Sequence, residues 1–110
     1  PGPMWDDDRE RMTIALLVTH YWSHDSFLPD GQTVMERIHQ LNGIPGHLIH
    51  GRRDISGPVI TPWVLQQRWE GSLLTVVEDE GHGGPQCWAA LVGAVEEIAA
   101  GLPTPDGQKA

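Results

Sequence analysis

Two short apolar runs in the second half of the chain, residues 47–50 and 73–77, each end in a polar, glycine-bearing loop, and each is followed by a segment with helical patterning. That alternation constrains the fold more than any other feature. Both runs have the length and composition of strands, and a helix of ordinary length would not fit in either. Between them, Thr61-Pro62 has the form of an N-cap with proline at the first helical position, opening a helix that carries Trp63, Leu65 and Trp69 and closes at Glu70-Gly71. After the second run, Trp88, Leu91, Val92, Val95 and Ile98 fall on one helical face, with Gly101 and Pro103 as the stop. The order strand, helix, strand, helix predicts an α/β arrangement with two parallel strands under right-handed crossovers.

The first half has a different character. Residues 12–22 are apolar almost all round and follow the acidic cluster Asp6, Asp7, Asp8 and Glu10, which suits a helix N-terminus, so a buried helix is expected. A loop through Pro29, Asp30 and Gly31 leads to a second helix from Thr33, with Thr33 and Glu36 spaced as a capping box, Val34, Ile38 and Leu41 as its apolar stripe and Gly43 as its stop. The helical period ends at Ile44-Pro45-Gly46.

Two strands alone pose a physical problem. Parallel sheets are normally covered on both faces, and a two-stranded parallel sheet with open edges is marginal by itself. The missing strands are expected from a longer chain or from a partner chain. A length of 110 residues leaves room for one domain, and 39% apolar residues with five Trp suffice for a core, so disorder throughout is not expected. A net charge of −8 with only seven Lys and Arg argues against nucleic acid as a partner. The acidic runs at 6–10 and 78–80 read as solvated faces or helix starts. The lone Cys87 allows no internal disulfide and points to a reducing, cytoplasmic location. Neither a signal peptide nor a membrane span is apparent, and the tail at 102–110 reads as disordered.

The chemistry concentrates in the two loops. His50-Gly51-Arg52-Arg53-Asp54 follows the first strand, and Gly81-His82-Gly83 follows the second, 28 residues on (82 − 54). Loops after neighbouring parallel strands place an acid beside an imidazole, and a carboxylate accepting from one ring nitrogen leaves the other free to take a proton from a nucleophile. Asp54 and His82 are therefore the candidate catalytic residues. No nucleophile accompanies them: Ser23, Ser26, Ser56 and Ser72 all lie outside any Gly-x-Ser-x-Gly elbow. Cys87, at the start of the last helix, reads as a packing residue, although a helix N-terminus can lower a thiol pKa. A metal site among His47, His50, Asp54, His82 and Cys87 fails on spacing, because His47 and His50 fall on opposite faces of a strand; no metal or cofactor is expected. An oxyanion-loop reading of His82-Gly83-Gly84-Pro85 requires a nucleophile elbow further on, and a helix follows instead.

Ile44-Pro45-Gly46 through Asp54, then Pro58 and the Trp63-x-Leu65 helix, then Leu74 to His82, resemble the C-terminal third of the proline iminopeptidases, serine peptidases of the α/β-hydrolase fold. His20-Tyr21-Trp22 with Phe27-Leu28 resembles the closing helices of that family's cap domain. The resemblance implies that residues 1–43 end a helical cap domain and that residues 44–101 form the last two strand and helix units of the core. It implies Asp54 as triad acid, His82 as triad base, and a peptide with N-terminal proline as substrate. It also implies that the oxyanion loop and Ser elbow lie in a missing N-terminal portion or a complementary chain, so that this chain alone is inactive. Many members carry an acidic residue two before the His-Tyr pair, where it helps hold the substrate amine; Val18 stands there in this chain. The alternative expectation is a noncatalytic remnant or assembly module that binds a partner through its exposed sheet edge.

Overall fold

The computed structural model describes residues 6–102, which form two compact units divided between Arg37 and Ile38. In the first, α1 (Asp8–Trp22) starts earlier than the apolar run because the acidic cluster is itself its first turn. The Asp7 side chain caps it, accepting from the backbone N–H groups of Arg9 at 2.8 Å and Glu10 at 3.2 Å, while Asp8 and Glu10 sit at the positive end of the helix dipole. The expected burial of this helix is not observed: none of its residues is buried, and Trp22 is 70% exposed. An apolar circumference favours burial only where another surface receives it, and the helix's own unit supplies none.

Beyond α1, Asp25, Ser26 and Phe27 take left-handed backbone angles, with φ of 48°, 55° and 57°. Such a conformation costs each non-glycine residue of order 1 kcal/mol. Contacts of the Phe27 ring offset part of that cost, stacked on His24 at 4.9 Å and edge-on to Tyr21 at 5.4 Å between ring centres. The capping box forms as the sequence predicts, at the start of α2 (Val34–Arg37): the Thr33 N–H donates to the Glu36 carboxylate at 3.1 Å and the Glu36 N–H to the Thr33 hydroxyl at 3.3 Å. The Thr33 hydroxyl and N–H hold the Glu36 carboxyl below its ordinary range.

The second unit opens with a 3₁₀ turn, Ile38–Leu41, so the helix expected over 33–43 is α-helical only in its first part. Tightening to 3₁₀ is common near a helix end, and here Gly43 reverses the chain with φ +83°. The predicted strands follow as β1 (Gly46–Gly51) and β2 (Ser72–Val77), parallel and in register from Gly46 opposite Ser72 to Gly51 opposite Val77. Both α3 (Ile60–Arg68) and α4 (Pro85–Gly101) pack on the two strands. Thr61 is not the N-cap of α3: Val59 is, so the helix begins two residues earlier than expected, and Pro62 lies buried in its first turn. Proline is accepted there because first-turn N–H groups have no partner within the helix. Trp69 ends α3, and its indole N–H donates to the carbonyls of Leu41 at 2.9 Å and Ile44 at 3.1 Å, fixing the end of the helix against the turn that feeds β1.

Among the described residues Ile38, Val77 and Ala94 are buried, as is Pro62. The apolar stripe of α4 is largely open, with Trp88 67% and Val95 59% exposed. Two strands about 5 Å apart present a surface no wider than one helix, too narrow to cover all of that stripe. Among the described residues no helix is long and apolar enough to cross a membrane. Pro103 and the tail beyond it lie outside the described residues.

Where the strands end, their loops are bonded to each other. The Arg52 N–H donates to the Val77 carbonyl at 2.8 Å and the Arg53 N–H to the Glu80 carbonyl at 2.9 Å. Gly51 makes this approach possible, because a Cβ there would lie 2.1 Å from the Gly81 carbonyl oxygen and 2.5 Å from that of Glu80. Both obstructing atoms are backbone and cannot rotate away. Gly51→Ala is therefore expected to destabilise the fold by roughly 1–3 kcal/mol, measured as a lower midpoint in urea unfolding.

Candidate active site

Asp54 sits in the loop after β1 and is 8% exposed. Its Oδ1 accepts three bonds from the next turn: from the Ser56 hydroxyl at 2.6 Å, the Ser56 N–H at 2.9 Å and the Gly57 N–H at 3.0 Å. This is an Asx-turn, in which the side chain stands in for a backbone acceptor. Oδ2 remains for His82, which the loop after β2 holds with its Nδ1 at 2.8 Å. The structure thus brings together the two residues that the sequence singled out. Oδ2 can only accept, so the proton between them belongs to Nδ1, which leaves Nε2 with its lone pair. Among the described residues Nε2 has no hydrogen-bond partner, and the His82 side chain is 85% exposed. The Ser56 hydroxyl, then the His82 ring, then the backbone donors hold the Asp54 carboxyl far below its usual range, against the upward push of burial.

The pair lines an open cleft of about 320 Å³, walled by Ile49, His50 and Cys87 together with loop glycines. Of the serines in the same unit, neither Ser56 nor Ser72 is bonded to Nε2. Ser56 comes nearest to the ring, with Oγ 3.2 Å from Nδ1, but its hydroxyl proton is directed to Asp54. Cys87 is no better a nucleophile: its hydrogen bond to Glu80, burial and the Glu80 charge push its thiol up, away from the thiolate. His47 and His50 are used structurally, His47 paired with the Thr75 hydroxyl at 2.7 Å and His50 donating through Nε2 to the Gly57 carbonyl at 2.6 Å, which braces the Asx-turn. Among the described residues no cluster of metal-ligating side chains forms.

Reading the run 78–80 as a solvated acidic face misses how it divides. Glu78 pairs with Arg52 and Asp79 with Arg53, both at the surface, where such bridges contribute little. Glu80 is instead buried and caps α4 from outside, accepting from the backbone N–H groups of Gln86 and Cys87, each at 2.7 Å. Burial pushes its carboxyl up, but these donors outweigh it and hold the group below its ordinary range. The tie fixes the segment carrying His82, and Gly84 makes room for it, since a Cβ there would lie 2.5 Å from the Glu80 carboxyl carbon. The only sequence signal for this cap was a carboxylate shortly before a Pro-initiated helix; that for the Asx-turn was Asp-x-Ser-Gly.

Because the Asp54 pKa is lowered on folding, its contribution to stability is fully present above the ordinary value near 3.9 and is lost as pH falls below it toward the folded value. Asp54→Asn abolishes that contribution. The variant is expected to be less stable than the parent at neutral pH and to approach it in acid, with a shallower fall between about pH 4 and pH 2; denaturant midpoints across this range check it.

Comparison with known proteins bears on what the pair belongs to. No protein-family model matches the chain. A probable proline iminopeptidase of Streptomyces coelicolor is 38% identical over 107 residues, covering 92% of this chain and 33% of that protein. The proline iminopeptidase of Neisseria meningitidis serogroup A is 30% identical over 100 residues, covering 89% of this chain and 32% of its own length. That of Arabidopsis thaliana is 28% identical over 97 residues, covering 86% and 26%. The chain therefore spans about a third of the length of these relatives. Its two parallel strands with their helices match the C-terminal part of an α/β-hydrolase, and over most of its length the chain is similar to a portion of proline iminopeptidases of that fold.

Proposed function

We propose that this chain provides the acid and the base of a serine aminopeptidase that releases N-terminal proline from peptides, the serine itself being carried by a further portion of the enzyme. The observation that carries this reading is the 2.8 Å bond from His82 Nδ1 to Asp54 Oδ2, made between loops at the ends of adjacent parallel strands, with Nε2 open toward the cleft. In the completed enzyme the serine hydroxyl attacks the carbonyl of the N-terminal residue while His82 Nε2 takes its proton. The same proton passes to the departing amine, and a water activated in turn by His82 releases the acyl group. Asp54 keeps the ring in the required tautomer and stabilises the imidazolium. Similarity to proline iminopeptidases favours proline as the residue released, and Val18 makes the recognition of its amine a point to test against other aminoacyl groups.

The uncovered helices and the two-stranded sheet favour completion by further strands. They also motivate a second reading, a noncatalytic module that binds a partner along an open edge, which forms a stable complex and hydrolyses nothing. The chain joined to the portion bearing the serine is expected to cleave a proline arylamide. In that preparation His82→Ala lowers kcat by several orders of magnitude, and Asp54→Asn by roughly three to four orders. Unchanged turnover in His82→Ala overturns the catalytic reading.

A further inference from the structure

We propose that Ser56 is a positioning residue of the site, whose hydroxyl locks His82 in the tautomer with its proton on Nδ1. The inference rests on His82 being the base, and it concerns a residue outside the acid and base pair. The Ser56 Oγ lies 2.6 Å from Asp54 Oδ1 and 3.2 Å from His82 Nδ1, so it touches both members at once. A hydroxyl has a single proton. The carboxylate oxygen can only accept, which directs that proton to Oδ1 and turns a lone pair of Oγ toward the ring. Nδ1 then faces two acceptors, Oδ2 at 2.8 Å and Oγ at 3.2 Å. With a proton on Nδ1 both contacts are attractive. With the proton on Nε2, the Nδ1 lone pair confronts the carboxylate, and Ser56 can relieve this only by withdrawing its proton from Asp54.

Exposure gives the second contact its importance. At 85% exposed, the His82 side chain has little packing to fix its ring, so orientation falls to its hydrogen bonds. The carboxylate is itself pinned, since the Ser56 and Gly57 N–H groups share Oδ1 with the hydroxyl. The other titratable groups near the cleft are engaged elsewhere, His50 with the Gly57 carbonyl, Glu80 with the start of α4 and the Cys87 thiol with Glu80.

The test uses the 110-residue chain labelled with ¹⁵N-histidine, its tautomers read by long-range ¹H–¹⁵N correlation, with the backbone amides of β1 and β2 as a control for the fold. His82 is expected in the Nδ1–H form. Ser56→Ala raises the share of the Nε2–H form by about tenfold, the weight of one hydrogen bond, and Ser56→Thr, which keeps the hydroxyl, restores the parent ratio. Identical tautomer ratios in the Ala and Thr variants, whatever either does to overall stability, overturn the proposal. The readout needs no substrate, so its failure leaves the turnover test of His82→Ala standing, and failure of that test leaves the tautomer result intact.

Discussion

Two backbone hydrogen bonds, from Arg52 and Arg53 into the end of β2 and the segment after it, set the distance on which the candidate site depends. They extend the parallel ladder past its last paired residues and draw two loops together that would otherwise diverge. Gly51 is the condition for that approach, because any Cβ there meets the backbone of the opposite loop. Once the loops are in contact, Asp54 and His82 fall within hydrogen-bond reach with no long side chain bridging the gap. The surface pairs Arg52–Glu78 and Arg53–Asp79 follow the same line of contact, but exposed bridges of this kind add little to what the backbone has fixed.

Around that junction the polar groups are tightly partnered: no buried side-chain nitrogen or oxygen among the described residues lacks a hydrogen bond. Asp54 closes its own turn, His50 braces that turn from the strand, and Glu80 ties the His82 segment to α4. The apolar side is the reverse, with a small buried set and many large side chains open to solvent. The polar groups at this junction are thus satisfied while much apolar surface among the described residues stays open, and the chain spans about a third of the length of these relatives.

What the sequence made legible follows from how local each signal is. The capping box at Thr33, the strand pair and the stop at Gly43 rest on residues close in sequence, and all three appear in the structure. The juxtaposition of Asp54 with His82 was legible because parallel strands place their following loops side by side. Thr61-Pro62 misled by two residues because proline is tolerated throughout a first helical turn. The exposure of α1 and of the α4 stripe could not be read at all, since an apolar pattern records that a surface is to be covered and says nothing of where the cover lies. Glu80 was lost inside a charge run whose members look alike in sequence and differ only in which backbone they meet.

The most direct measurement is covalent trapping by a fluorophosphonate of the chain joined to the portion proposed to carry the nucleophile. The reagent phosphonylates a serine Oγ with loss of fluoride only where a base has activated that hydroxyl. One labelled serine is expected outside these 110 residues, with labelling abolished by His82→Ala. Label on Ser56 or another serine of this chain, or labelling indifferent to His82, contradicts it.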